Sequence, residues 1–541
     1  MPQSTMHLRM EPTFDPADVA AFQMTGQDIP WLLRHWAEHK PEHPFLIWEP
    51  RADGARTWTY RQFLDDASSL AAGLVARGVA KGDKVLIHSE NCPEMVLSWY
   101  ACSLVGACAV TTNTRSAGAE LEYFAQHTRC VAAITQPQFA ALVTENAPGL
   151  KWVAVTEDDS GAPAADGAAV EGLVRFADLM GDAATLEARP AEPMLPAGIM
   201  FTSGTTSRPK AVVHTHANAV WASRNGPVNI DLRTDDVYLV YLPFFHVNAQ
   251  SWSIWSTLGA GSTVVLQPKY SASRFWEVVQ RHGVTHISVI PFVFKGIADQ
   301  PVPEHTIRVG VFGLTMPVIE GWLGFKLTTS WGMTETVIHA TRNDFHQHYP
   351  DGTMGRPSPG YEFLVVDNDT GQVCAPGEIG ELWVRGTRGI QLFLEYFDND
   401  EANAKSFTDD GWFKTGDNVT MSADGYLYFR DRDKDALKVG GENVSAREVE
   451  DVCRQVPGIA DIAVVGQKHD FLDQVAVAFV VPAPGAPDDL PQQIIDHCAS
   501  QLADFKTPRA VYLVDEFPTA TLDKVAKNKL REMADARLDQ A

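Results

Sequence analysis

Residues 202–210 read TSGTTSRPK. A loop that wraps phosphate needs glycine for backbone freedom, free N–H groups and hydroxyls as donors, and a lysine as counter-charge. Ser203, Gly204, Thr205, Thr206, Ser207 and Lys210 supply all of these within eight residues. The pattern G-x4-G-K-[ST] does not fit, because no second glycine precedes Lys210 and Ala211 follows it. Alone, the stretch suits a phosphate loop or a solvated Ser/Thr turn equally well. Residues 331–336, WGMTET, bring an aromatic face, a glycine turn, a hydroxyl and a carboxylate together. Those groups suit a purine ring, a phosphate oxygen and Mg2+, or an ordinary strand-to-helix turn capped by threonine. Residues 411–417, GWFKTGD, set Asp417 on a tight turn. A carboxylate there could hold a ribose diol, as in dinucleotide folds, or close an Asx-turn.

The elements that must carry these groups follow one rhythm over the first 430 residues. Residues 84–89 (KVLIHS) predict a strand, 93–105 a helix and 107–112 (ACAVTT) a second strand. The same alternation returns at VYLVYLP, WSIWSTLGA and STVVLQP, and again at FWEVVQRHG and THISVIP. It implies βαβ units and parallel sheets covered by helices. Residues 157–192, rich in Ala, Gly and acid, predict a surface excursion before a strand at 198–202. A boundary falls near residue 430, where RDRDKD is six alternating charges in a row. Ser445 to Glu448 then reads as a capping box opening an amphipathic helix. The expected organisation is α/β. A large N-terminal domain (1–430) of helix-covered, mostly parallel sheets is followed by a hinge (431–435) and a small mobile α+β domain (436–541).

Composition sets the partners. Of 541 residues, 45% are hydrophobic and 21% charged, which is ordinary for a globular protein with large cores. The net charge of −24 argues against nucleic acid and anionic membrane, which require a basic surface. Seven cysteines show no C-x-x-C pair and predict buried reduced thiols. The start lacks an apolar signal core, and no run reaches the ~18 apolar residues of a membrane helix. A cytoplasmic location is expected.

Taken in chain order, TSGTTSRPK, YLPFFHVNAQ, WGMTET, GEIGELWVRG, DDGWFKTGD, RDRDK and LKVGGENVSAREVE resemble successive core motifs of the adenylate-forming superfamily. That superfamily comprises acyl- and aryl-CoA synthetases, adenylation domains and luciferases. The resemblance spans roughly residues 30 to 530. TSGTTSRPK, KYSASRFW and GGENVS are most similar to the carnitine/crotonobetaine-type and related acyl-CoA ligases. It implies an ATP-dependent carboxylate:CoA ligase that forms acyl-CoA, AMP and pyrophosphate through an acyl adenylate.

The resemblance also implies roles. Thr202, Ser203, Gly204, Thr205, Thr206 and Lys210 cradle the β/γ-phosphates, Thr334 touches the α-phosphate and Glu335 holds Mg2+. Asp417 takes the ribose hydroxyls beside Arg432, and Gly313, Ser330, Gly332 and Met333 complete the ATP set. Trp331, where the family usually has Tyr, flanks adenine or floors the acyl pocket, which His246, Val247, Asn248 and Gln250 also line. His246, after Phe244 and Phe245, matches the gate between that pocket and the coenzyme A tunnel. Gly440, Gly441 and Lys438 serve coenzyme A, and Lys434 is the hinge. His214 and His216 follow the phosphate loop on a predicted strand and read as structural.

One departure stands near the C-terminus. The family's catalytic lysine follows glycine, but here Asp523 precedes Lys524. An acid beside the lysine leaves a degenerate adenylate-binding paralogue open. A separate alternative, ranked lower because the GGEN loop is that of the coenzyme A-using branch, is an adenylating enzyme that loads a carrier protein. The expected partners are a small carboxylic acid, ATP and coenzyme A, with a homodimer left open.

Overall fold

The computed structural model describes residues 16–51, 54–164, 172–202, 208–345, 347–432, 436–518, 525 and 527–538. Its first helix-covered sheet is built on Lys84–His88, with Cys108–Thr111 and Ala132–Thr135 parallel on either side. Pro196–Thr202 continues it in parallel, and Lys210–Thr215 returns antiparallel. The second sheet runs Lys326–Thr329, Val309–Phe312, His286–Ser288, Val237–Val240, Thr263–Leu266 and Pro44–Trp48, all parallel. Local chemistry sets the connecting helices. Pro93–Val105 starts with proline, whose fixed φ suits the first turn, and stops at Gly106 with φ 85°. Eleven of its thirteen residues are buried, so it sits between layers rather than on a surface.

A third sheet was not part of the expected rhythm. Glu362–Val366, Ile379–Arg385, Trp412–Met421 and Leu427–Arg432 form an antiparallel meander. Ile379–Arg385 alternates exposed or half-buried with buried residues, the mark of a sheet with one wet face. Asp431 and Arg432, expected in the hinge, pair in this sheet opposite Asn418 and Asp417. Alternating charges fit an edge strand as well as a linker. Residues 433–435, including Lys434, lie outside the described residues.

The largest apolar core draws on residues from Met24 to Leu427. Two further clusters, from Leu437 to Phe505 and from Ala463 to Ala534, sit on the two faces of a separate C-terminal sheet. There Ile459–His469 and Asp473–Pro482 pair antiparallel, with Ala510–Leu513 parallel to the latter. The seven cysteines are free, and six of them are buried.

Candidate active site

In open α/β sheets, ligands collect beyond the carboxyl ends of the parallel strands. Here those ends carry Thr202, Asn113, Gly313 and Ser330. Thr202 pairs across the ladder with Lys210, so residues 203–209 form the connection between two neighbouring strands. Ser203, Gly204, Thr205 and Thr206 lie outside the described residues. The Lys210 ammonium stands 4.2 Å from the centre of the Tyr396 ring. The Tyr396 hydroxyl donates to Glu335 Oε1 at 2.8 Å. One buried tyrosine therefore joins the phosphate-loop lysine to the carboxylate expected to hold Mg2+. Sequence reasoning missed Tyr396 because no motif marks it. It arrives on the two-residue strand Glu395–Tyr396, which pairs with Val213 and Val212.

The WGMTET stretch is held rigidly. A Cβ on Gly332 would lie 2.8 Å from the Trp252 ring and 3.0 Å from the Ile338 carbonyl, so only glycine fits. Thr334–Thr336 is a single 3-10 turn, and the Thr336 hydroxyl accepts from the Met333 N–H at 2.9 Å. His214 Nε2 donates to the Thr334 carbonyl at 2.8 Å. Burial lowers this imidazole to about 4, so it is a neutral strut. His216, expected on the strand, instead opens the helix His216–Ile230. After the turn, Val337 takes φ 66°, ψ −57°, and Ile338 N–H donates to the Thr336 carbonyl at 2.6 Å. This is a γ-turn of the rare, strained hand at a β-branched residue. Glu335 is only 3% exposed beside it, and Ser330 is buried. Gly313 faces open space.

Asp417 is not on a tight turn. It sits in the strand Trp412–Met421 beside Gly416, whose φ is 74°. The neighbouring strand pairs Glu381 with Asn418 but Trp383 with Lys414, so the ladder bulges between them. Glu381 accepts from Gly416 N–H at 2.9 Å and pins the bulge. Asp417 is 3% exposed, and its Oδ2 accepts from Trp331 Nε1–H at 2.9 Å. Arg432 lies directly opposite in register.

His246 follows buried Phe244 and Phe245 and precedes the eight-residue π-helix Asn248–Trp255. Such wide turns are uncommon and cluster at functional sites. Asn248 and Gln250 lie in this segment, Val247 just before it, and Gln250 is fully buried. His246 reaches the C-terminal domain. Its Nε2 lies 3.0 Å from Glu442 Oε1, and Asn113 Nδ2 donates to the same oxygen at 3.2 Å. Burial works against charge on His246, but the Glu442 carboxylate outweighs it and raises the imidazole. Glu442 is lowered, since His246, Arg115 and Asn113 together overcome its burial. Gly440 and Gly441 precede it with φ 59° and 90°, and a Cβ on Gly441 would approach Ile290 to 3.3 Å. Lys438 is exposed, and its N–H donates to Gln474. Lys524 lies outside the described residues, as does Asp523.

The chain matches the AMP-binding enzyme family over residues 33–397 and the AMP-binding enzyme C-terminal domain over 448–524. It belongs to the AMP-binding enzymes. The crotonobetaine/carnitine–CoA ligase of Salmonella paratyphi A is 33% identical, with 94% of this chain and 99% of that protein covered. Among solved structures, a double mutant of the o-succinylbenzoate CoA synthetase of Bacillus subtilis, bound with its product analogue OSB-NCoA, is 27% identical. It aligns with a TM-score of 0.77 over 93% of this chain and 98% of that one. The same synthetase in complex with AMP aligns at 0.64 over 92% and 98%. This AMP-binding enzyme is an adenylate-forming acyl-CoA synthetase, an AMP-forming acid–thiol ligase. Among the described residues, no helix is long and apolar enough to cross a membrane.

Proposed function

We propose that the chain activates a medium-sized acyl or arylalkanoyl acid as its adenylate, then transfers the acyl group to the thiol of coenzyme A. A carboxylate is a poor electrophile until one of its oxygens joins a good leaving group. In the first step the carboxylate oxygen attacks the α-phosphorus of ATP and pyrophosphate leaves. In the second the thiol sulfur attacks the acyl carbon and AMP leaves. Positioning and charge neutralisation carry the first step. Lys210 and the phosphate loop hold the β/γ-phosphates, Thr334 the α-phosphate, and Asp417 with Arg432 the ribose. Lys524 bridges carboxylate and α-phosphate.

Mg2+ is commonly held by one or two carboxylates plus substrate phosphates, and Glu335 is a buried carboxylate whose Oε1 accepts from Tyr396, next to Lys210. Glu335 would hold it, and the ion would neutralise charge on the phosphates.

The single observation that carries the two-step reading is the contact of Glu442 with His246. It brings the Gly440–Gly441 loop of the C-terminal domain to the mouth of the acyl pocket. The large domain, through the strand that ends at Arg432, and the domain 436–541, joined by a hinge with Lys434, would exchange this arrangement for one that delivers Lys524. The mixed aromatic and small residues around His246, Gln250, Phe292, Gly313 and Trp331 favour the acid class named. A panel of alkanoic, arylalkanoic and betaine acids, with AMP and thioester measured together, tests it. Acid-dependent AMP release with matching thioester is expected for the arylalkanoic arm. AMP formation without thioester would overturn the coenzyme A step, and preference for the betaine arm would overturn the acid class.

A further inference from the structure

The C-terminal domain also meets the large domain away from the acyl pocket, at the segment that follows the strand Cys108–Thr111. Three side chains of that segment cross the interface. Asn113 reaches Glu442, Arg115 makes a two-point pair with Asp504 at 2.8 Å on each arm, and Glu120 binds Lys506. Arg115 also lies 4.7 Å above the Phe505 ring.

The contacts are not equal. Arg115 and Asp504 keep 46% and 70% exposure, so water and salt screen them. The Lys506 contact is dry. Lys506, Glu120 and Glu448 are 5%, 7% and 4% exposed, and the Lys506 ammonium is shared between Glu120 and Glu448, the latter at 2.9 Å. Burial opposes charge on Lys506, but the two carboxylates raise it. Lys506 and Glu448 both belong to the C-terminal domain and travel together. Glu120 belongs to the large domain, at the start of the helix Gly118–Thr128. Sequence reading had Glu448 closing a capping box on its own helix. Ser445 does accept from Glu448 N–H, but the Glu448 side chain is turned to Lys506 instead.

We propose that Glu120 and Lys506 are positioning residues for the thioester step, forming a buried ionic latch that holds the C-terminal domain where the Gly440–Glu442 loop meets His246. Lys506 and Glu448 stay partners when their domain turns, whereas Glu120 loses Lys506 and keeps only the Ala117 N–H of its own helix. Of the two Lys506 contacts, the one with Glu120 is specific to the present arrangement. Removing or reversing one member of a buried charge set leaves an uncompensated charge, so the latch is sensitive to sign. The inference rests on the proposed two-step reading and concerns its second step alone.

The test uses the full chain and three variants, Glu120→Lys, Lys506→Glu and the double exchange. Each half-reaction is measured separately: adenylation by acid-dependent pyrophosphate release, and thioester formation from a synthetic acyl-AMP plus coenzyme A. Each single variant should lose thioester formation at least tenfold and keep adenylation within about threefold. The double exchange restores an opposite-charge pair across the interface, although residue 506 then meets Glu448 as a like charge, and should recover part of the loss, a coupling that two independent defects would not show. Spin labels on the two domains give a readout free of chemistry: the short interdomain distance should be depleted in each single variant and return in the double. Equal losses in both half-reactions, no recovery in the double exchange, or unchanged distances would each overturn the latch. If the wild type forms no thioester with any acid, the proposed function fails, and the distance measurement still decides the latch.

Discussion

The indole N–H of Trp331 donates to Asp417 across 2.9 Å, joining the residue that follows one parallel sheet to a bulge in the antiparallel sheet. Trp331 thus orients the carboxylate proposed to hold the ribose. Asp417→Ala should raise the ATP Michaelis constant on the order of tenfold to a hundredfold, the loss of a charge-assisted hydrogen bond of about 1.5–3 kcal/mol. Trp331→Phe keeps a ring but drops the donor, and should give a smaller rise in the same constant. An unchanged constant in Asp417→Ala would remove the ribose assignment.

Gly332 makes a prediction about stability. Gly332→Ala forces a methyl into Trp252 and the Ile338 carbonyl, at 2.8 and 3.0 Å. Overpacking of this kind costs about 1–3 kcal/mol. A lowered midpoint in chemical denaturation, together with slower adenylation, is expected, because the displaced backbone carries Thr334 and Glu335.

The His246–Glu442 contact sets a pH dependence of domain docking. Docking raises His246 above its ordinary value of 6.5, so that contribution is complete below 6.5 and is lost as pH rises through the raised value. Glu442 is lowered below its ordinary 4.5, so its contribution is complete above 4.5 and is lost as pH falls through the lowered value. The docked population, followed by interdomain distance, should therefore be largest between 4.5 and 6.5 and decline on the alkaline side. Glu442→Gln should flatten that decline.

Lys524→Ala tests the carried-over catalytic role. Its ammonium would neutralise charge that builds only as carboxylate and α-phosphate converge. Adenylation should fall by about 10²–10³, the scale of removing one preorganised charge-stabilising donor. Turnover of synthetic acyl-AMP with coenzyme A should survive. Normal adenylation would move attention to Lys527 or Lys529.

Much of this could be read along the chain because it is local. Proline at 93 and glycine at 106 bracket a helix, and apolar runs mark the parallel strands. The antiparallel meander was passed over because its alternation lies inside stretches read as motifs. Tyr396, Glu120 and Lys506 were invisible for a different reason. Glu120 and Lys506 lie 386 residues apart and read singly as solvated charges. Only tertiary packing makes them partners.

The bulge at Gly416 carries a last consequence. Along a strand, side chains alternate between faces, so one residue more or less sends every later side chain to the opposite side. The strand carrying Asp417 uses four steps, from Lys414 to Asn418, where its partner uses two, from Glu381 to Trp383, so the bulge holds two extra residues and the alternation of faces is the same on either side of it. Deleting Gly416 alone would leave one extra residue, an odd number, so the two ends of the strand could not both keep their present faces and the acid would be turned away from the indole. With Asp417 as the proposed ribose ligand, nucleotide recognition is a matter of counting as well as chemistry.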